Sequence, residues 1–248
     1  ASDVYKRQDK NGATWRSADE LLAQALRYRT YWKNGGGITV SGGEPLLQID
    51  FVTEFFKYAK EKGLDFVETL CAKGCMSLLK LFIPDYLKVA SRDLTNLPLL
   101  EAMAETKIPI ILSTGMAGKQ ELDNALNTIT RYHSNISILH CVSQYPTHPD
   151  NLNLKTISYL KKHYSQYPIG FSDHTIGISA PVVAVGMGAE IIEKHITIDR
   201  HMKGTDQAGS LGPDGVNRMI RDIRIAEKWL GTEDLYICLL YTSPSPRD

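Results

Sequence analysis

Short apolar runs rich in β-branched residues recur through most of the chain and alternate with stretches of helical spacing. The runs are DFVET, YLKVAS, IPIILS, ISILHCV, YPIGFS and AEIIEKHIT. Strands that alternate with helices predict βαβ units and a parallel sheet. Because these runs are apolar nearly throughout, the sheet should be covered on both faces. The sequence therefore predicts an α/β fold, either a barrel or a doubly wound sheet.

Polar residues at the carboxyl ends of the runs favour the barrel. The segments KVASRD, ILSTGM, HCVSQY, GFSDHT and EKHITID each end a predicted strand with hydroxyls, carboxylates or imidazoles. Barrel enzymes assemble their active sites at that face from several loops. A single Ser or Asp there is explained as a helix cap, but five strand ends together favour a TIM-type (β/α) barrel with a site at its carboxyl end.

The composition favours a small molecule as the partner. Lys and Arg total 28, as do Asp and Glu, so net charge gives no reason to expect a nucleic acid or a membrane surface. The cysteines lack a paired secretory pattern, no apolar run approaches the roughly 18 residues that span a bilayer, and no signal peptide opens the chain. We expect a cytoplasmic protein.

Two histidines follow successive predicted strands. His174 comes after GFSD and His195 after IIEK, so both imidazoles can face one point above the barrel. Two neutral imidazoles form half of a divalent-metal site, and a metal there acts as a Lewis acid on a carbonyl oxygen. A lone histidine at a strand end is more often a structural residue, but the pairing favours metal binding. Asp173 and Glu193 are placed to orient these ligands.

Residues 14–57 show a different pattern, with a helix, a glycine-rich strand, a loop and a second helix. Ser17 and Glu20 predict a capping box at the first helix. The run GGGITVSGGEPLLQ resembles glycyl-radical activating enzymes such as pyruvate formate-lyase activase, whose GGEP turn lies against S-adenosylmethionine. The matching positions are Gly42, Gly43, Glu44 and Pro45. That family's CxxxCxxC motif holds a [4Fe-4S] cluster and does not precede this turn. Cys71 and Cys75 follow it without a third partner, so we expect a vestigial turn and no intact iron–sulfur site.

From about residue 58 to residue 231 the chain resembles the N-acetylneuraminate (sialic acid) synthase family. The matching motifs are KVASRDLTNLPLLEAM, PIILSTGM, LHCVSQYPT, GFSDHTIGI and EIIEKHITIDR. Members condense phosphoenolpyruvate with N-acetylmannosamine or a related aldehyde sugar, which gives a nonulosonic (sialic) acid and phosphate, and they are usually homodimers. The resemblance implies an incomplete barrel made of the family's strands 3–8, with Mn²⁺ or Mg²⁺ as cofactor.

The resemblance also implies roles for individual residues. The metal ligands are His174 and His195. The positions that bind phosphoenolpyruvate are Lys88, Ser91, Ser113, Ser143 and Ser172, since a dianion requires an ammonium and hydroxyl donors. The positions that contact the sugar are Asp93, Tyr145 and Asp206. Asp93 stands where the family often has Glu, and Ser143 stands where some members have Asn, and both differences bear on substrate choice.

The two resemblances meet in KYAKEKGLD, so we interpret the chain as a chimera in which a foreign βα segment precedes the barrel. The predicted divisions are a tail (1–13), the radical-enzyme-like segment (14–57), the barrel (58–231) and a second tail (232–248). Both tails resemble translated sequencing-adapter read-through. We expect the family's first two strands and its C-terminal antifreeze-like domain to be missing. The alternatives are a glycyl-radical activase fragment and an inactive chimera.

Overall fold

One parallel sheet organises the chain in the computed structural model, which describes residues 17–26, 37–38, 48–197, 199–201 and 206–235. Within these residues the seven strands lie in chain order, and each adjacent pair is parallel. The strands are β1 (Gly37–Ile38), β2 (Asp65–Thr69), β3 (Tyr86–Val89), β4 (Ile110–Ser113), β5 (Ile136–Cys141), β6 (Ile169–Asp173) and β7 (Ile191–Lys194). The six runs predicted as strands correspond to β2 through β7, so the predicted α/β fold is confirmed.

Helices connect the strands. They are α1 (Ala18–Leu26), α2 (Ile49–Glu61), α3 (Leu97–Glu105), α4 (Lys119–Ile129), α5 (Lys155–His163), α6 (Ser179–Gly186) and α7 (Pro213–Leu230). An α-helix follows each strand from β3 to β7, and a 3₁₀ helix at Lys73–Lys80 joins β2 to β3. This is the strand–helix alternation that parallel pairing requires, because each parallel connection must cross back over the sheet.

The sheet is curled like the wall of a barrel. Lys88 on β3 and Glu193 on β7 lie 3.5 Å apart, Nζ to Oε2, although β3 and β7 are four strand spacings apart, about 19 Å in a flat sheet. The side chains therefore meet across a concave interior, as in a TIM-like barrel. Within the described residues β1 and β7 are the two edges, and the sheet is open between them.

The core fills both faces of the central strands. Every residue of β6 is buried, and so are all but one of β5. Side chains with less than 2% of their surface exposed include Leu87, Leu112, Ile138 and Phe171. The edge strand β7 is half-buried along its length. The continuous burial of β5 and β6 confirms the prediction that apolar runs mark strands covered on both faces.

A second apolar cluster joins the amino-terminal helices to β2. Ala18 and Leu22 of α1 and Phe55 of α2 pack in one cluster with Leu64 and Phe66. The rings of residues 56 and 66 stack with their centroids 3.5 Å apart. Residues on both sides of the boundary predicted near residue 58 thus share one cluster.

The helices begin with different capping interactions. The Ser17–Glu20 capping box is present: Glu20 N–H donates to Ser17 Oγ at 3.2 Å, and Ser17 N–H donates to Glu20 Oε2 at 3.0 Å. Asn96 precedes α3, but its side chain makes no capping bond. Asp214 lies in the first turn of α7, where a carboxylate interacts favourably with the helix dipole.

Among the described helices, none combines the length and apolar character that a membrane crossing requires.

Candidate functional site

A pocket opens at the carboxyl ends of β6 and β7. The residues that line it include Tyr145, His174, Thr175, Lys194, His195 and Asp206. Both predicted metal ligands are therefore in one pocket, together with two of the three residues predicted to contact a sugar. Residues of several loops meet here because the carboxyl ends of parallel strands share one edge of the sheet.

The two imidazoles lie close together. Their ring centroids are 5.5 Å apart and their planes are nearly perpendicular. Nδ1 of His174 lies 2.9 Å from the carbonyl oxygen of Val142; because a carbonyl only accepts, Nδ1 carries the proton and Nε2 keeps a free lone pair. Burial lowers the pKa of both histidines, and the neighbouring His174 lowers that of His195 further. Both rings are therefore neutral near pH 7.

The donors fit half of a divalent-metal site. Two neutral imidazoles in one pocket, one with its tautomer fixed by a carbonyl, are what a metal ligand pair requires. The carboxylate of Asp206 lies 3.7 Å from Nδ1 of His195. In the described part of the chain, no group of three or more His, Cys, Asp or Glu side chains is arranged to hold an ion. An ion held by two imidazoles has open positions for water or substrate.

Tyr145 covers the imidazole pair. Its ring stacks on His174 with the centroids 3.9 Å apart, and it lies edge-on to His195 at 5.7 Å. Desolvation raises the pKa of Tyr145 to about 12, so its hydroxyl keeps its proton near neutral pH and can donate a hydrogen bond.

A buried ammonium lies deeper in the barrel. Lys88 Nζ donates to Ser113 Oγ at 2.8 Å and to the carbonyl of Val89 at 3.3 Å. Glu193 approaches Lys88 at 3.5 Å and accepts a hydrogen bond of 2.6 Å from Ser172 Oγ. The structure thus brings together three of the residues predicted to bind phosphoenolpyruvate. Glu193 was expected to orient metal ligands; its described polar contacts are instead with these donors.

Two more predicted residues meet at Gly115. Its N–H donates to Ser91 Oγ at 3.0 Å. A Cβ at this position would lie 2.5 Å from Ser143 Oγ, 2.8 Å from Cys141 Sγ and 2.9 Å from Ser91 Oγ. Any larger residue at this position would therefore force these side chains to move. Sequence reasoning missed Gly115, although ILSTGM places it at a strand end beside the other polar groups.

Asp93 does not lie with the other predicted sugar contacts. It is buried, and its carboxylate accepts a hydrogen bond of 3.3 Å from Nε of Arg92. Arg92 also donates to Cys71 Sγ at 2.9 Å. Of the described residues, those that line the histidine pocket do not include Asp93.

The turn predicted as vestigial lies outside the described residues. Gly42, Gly43, Glu44 and Pro45 all belong to that segment, so the prediction for them stays a prediction. Cys71 and Cys75 are free cysteines.

Lys194 is a second residue that sequence reasoning missed. It forms an ion pair of 2.7 Å with Asp173, and both side chains are almost wholly buried. The sequence shows a Lys directly before His195, but its partner becomes evident only once β6 and β7 are paired.

Comparisons with known proteins agree with this fold and identify the family of the chain. The model of the NeuB family matches residues 17–234. Uncharacterized protein MJ1065 of Methanocaldococcus jannaschii is 44% identical over 181 residues, which cover 72% of this chain and 53% of that protein. The N,N'-diacetyllegionaminic acid synthase of Legionella pneumophila is 34% identical over 224 residues, which cover 87% of this chain and 63% of that protein. The chain thus spans between half and two thirds of the length of these relatives.

A solved structure has a similar fold. The N-acetylneuraminic acid (sialic acid) synthetase of Leptospira borgpetersenii, crystallised with citrate, superimposes with a TM-score of 0.72 at 35% identity, covering 78% of this chain and 67% of that one. The family match begins at residue 17 and runs across the boundary predicted near residue 58. It therefore does not support a foreign origin for residues 14–57.

Proposed function

Because the chain belongs to the NeuB family, we propose that it condenses phosphoenolpyruvate with N-acetylmannosamine or a related aldehyde sugar, which gives a nonulosonic acid and phosphate. Relatives named as synthases of legionaminic and sialic acids support the reaction class. The observation that carries the proposal is the arrangement at the carboxyl end of the barrel, where a pair of neutral imidazoles lies near a buried ammonium with serine hydroxyls.

His174 and His195 would hold Mn²⁺ or Mg²⁺. When bound, such an ion polarises the aldehyde oxygen of the sugar, which makes its carbon more electrophilic. The contact of His174 Nδ1 with a backbone carbonyl leaves the Nε2 lone pair free to bind the ion.

Lys88, Ser113 and Ser172 would bind the anionic groups of phosphoenolpyruvate. Lys88 is 7% exposed, and the two serines are 1% and 2% exposed, so a charge held there meets little competition from water and is stabilised strongly. This set of donors would hold phosphoenolpyruvate on the same concave face as the histidine pair. After the carbon–carbon bond forms, water adds to the resulting oxocarbenium and phosphate leaves.

Tyr145 and Asp206 would bind the sugar. The carboxylate accepts hydrogen bonds from sugar hydroxyls, and the neutral phenol donates one. Both residues line the pocket that holds the imidazole pair, so a sugar bound to them would lie beside the two histidines.

Phosphate release tests this function. The purified chain is incubated with phosphoenolpyruvate, N-acetylmannosamine and Mn²⁺, and each component is omitted in turn. Phosphate is expected only when all three are present, and mass spectrometry should then detect a nonulosonic acid. Release that does not depend on the sugar would indicate a phosphatase and would contradict the proposal. Absence of release with every aldehyde sugar tested would also count against it.

From the same resemblance we propose a cytoplasmic homodimer. Light scattering on the eluting protein measures its mass, and a mass of one chain would contradict the dimer.

A further inference from the structure

Asp173 and Lys194 connect the two strands that end at the histidines. They are register partners at the ends of β6 and β7. Their side chains form an ion pair of 2.7 Å and are 0% and 3% exposed. Each residue directly precedes one histidine of the pocket, His174 or His195.

Both charged groups also bind the backbone of one turn. Asp173 Oδ1 accepts a hydrogen bond of 2.8 Å from the N–H of Thr175, and Lys194 Nζ donates to the carbonyl oxygen of the same residue. The turn that carries His174 is therefore held by a carboxylate on its own strand and by an ammonium on the neighbouring strand. Because Lys194 precedes His195, the same contacts fix one histidine relative to the other.

Stability alone is a weak explanation for this pair. Removing two charges from water costs about as much as their attraction returns, so buried ion pairs often add little to folding. What the contacts of Asp173 and Lys194 do specify is the geometry of the turn, since a carboxylate and an ammonium each satisfy one backbone group of Thr175.

We propose that Asp173 and Lys194 are positioning residues that hold His174 and His195 at the spacing a divalent metal requires. This inference rests on the proposed function, in which the two histidines bind the ion. It extends that function to residues that do not themselves touch the ion. Partners that orient metal ligands in this way typically contribute about 10- to 100-fold to metal affinity.

Two substitutions test the proposal by direct metal binding. Lys194→Met removes the ammonium, and Asp173→Asn removes the carboxylate charge but keeps an oxygen for the N–H of Thr175. Mn²⁺ affinity is measured by titration calorimetry, and the electron paramagnetic resonance spectrum of bound Mn²⁺ reports its ligand geometry. Circular dichroism and thermal unfolding without metal check the fold. We expect both variants to fold with a lowered thermal midpoint, because each leaves one buried charge unpaired. We expect Lys194→Met to bind Mn²⁺ about 10- to 100-fold more weakly, with a changed spectrum.

The double variant separates a pair from two independent residues. If Asp173 and Lys194 act together, Asp173→Asn combined with Lys194→Met should bind Mn²⁺ no more weakly than Lys194→Met alone. Additive losses would show that the two residues act independently and would overturn the proposal.

Lys161 offers a matched control. Its Nζ also contacts one carboxylate, Glu190 at 3.0 Å, and one backbone carbonyl, that of Gly188 at 3.0 Å. This pair is largely exposed and lies before β7, away from the strand end that carries His195. Lys161→Met should leave Mn²⁺ affinity unchanged.

The outcomes separate this inference from the proposed function. If the unchanged chain binds no Mn²⁺, the proposed metal site fails and the inference falls with it. If the unchanged chain binds Mn²⁺, His174→Ala abolishes binding and the Asp173 and Lys194 variants bind normally, the inference alone is wrong. Failure of both single variants to fold would make the pair a determinant of folding and would equally overturn the positioning role.

Discussion

Lys88 and Glu193 face each other at 3.5 Å from strands that are not neighbours. The curl of the sheet brings β3 and β7 together, and Ser172 on β6 adds a hydrogen bond of 2.6 Å to the same carboxylate. Glu193 therefore occupies two of the donors that we propose for phosphoenolpyruvate. Phosphoenolpyruvate must therefore displace the Glu193 carboxylate from these donors when it binds.

Glu193→Gln should tighten the binding of phosphoenolpyruvate. The neutral amide competes less well for Lys88, and the pocket becomes more positive towards a dianion. We expect the dissociation constant measured by titration calorimetry to fall several-fold. Glu190→Gln, a change at an exposed carboxylate of the same chain, is the control. Unchanged or weaker binding in Glu193→Gln would show that Glu193 does not compete with the substrate.

Lys88→Met should weaken the binding of phosphoenolpyruvate. Removing one partner of a buried, hydrogen-bonded charge pair costs roughly 2 kcal/mol or more of binding free energy, about 30-fold in affinity. Calorimetric titration with phosphoenolpyruvate measures this loss, and thermal unfolding confirms that the variant folds. A folded Lys88→Met variant that binds phosphoenolpyruvate normally would exclude this lysine from the anion site.

Gly115→Ala should displace Ser91 and Ser143, two of the residues that the family resemblance predicts to bind phosphoenolpyruvate. The new methyl group would lie 2.5 Å from Ser143 Oγ and 2.9 Å from Ser91 Oγ, so both hydroxyls must move. Overpacking of this kind destabilises a protein by about 1–3 kcal/mol, and phosphoenolpyruvate affinity should fall as well.

Gly74→Ala is the matched control for this change, because a methyl group there meets no atom within 4 Å. Full phosphoenolpyruvate affinity in Gly115→Ala would show that Ser91 and Ser143 do not contribute to the anion site.

His140 should make the protein less stable in mild acid. It is buried on β5, its Nε2 lies 2.8 Å from the carbonyl of Leu152, and burial lowers its pKa below the ordinary value of 6.5. Between pH 6.5 and the lowered native pKa, the imidazole of residue 140 is protonated in the unfolded chain but not in the native chain. The free energy of unfolding is therefore unaffected by this group above pH 6.5, decreases as the pH falls below 6.5, and stops decreasing below the native pKa.

Thermal unfolding at about pH 7.5 and about pH 5 measures this loss. His140→Gln keeps a donor for Leu152 but cannot titrate, so its loss between the two pH values should be smaller than that of the unchanged protein. An equal loss would show that His140 does not cause the acid sensitivity. A residual loss is expected from His174 and His195, whose pKa values burial also lowers.

Local sequence pattern was sufficient to predict the strands and to place the candidate site residues at the carboxyl ends of the strands. The apolar runs identified β2 through β7, and the strand-end motifs placed His174, His195 and Ser172 at one edge. These predictions depend only on strand periodicity and on the rule that parallel strands end together.

Contacts across the barrel could not be predicted in the same way. Which strands face each other depends on how tightly the sheet curls, and no local pattern encodes that curvature. The pairing of Glu193 with Lys88 and the crowding at Gly115 were therefore missed. The partner of Lys194 was missed for a related reason, because it depends on the register of β6 against β7.

The consecutive opposite charges of β7 restrict the register in which this strand can pair with β6. Glu193 meets Lys88 and the following Lys194 meets Asp173. If β7 slipped by one residue, so that Lys194 occupied the place of Glu193, two ammonium groups would confront each other inside the barrel and a carboxylate would lose its counterion. Electrostatic repulsion thus disfavours any other register of this edge strand. Insertions or deletions of single residues should be tolerated only in the loops that flank it.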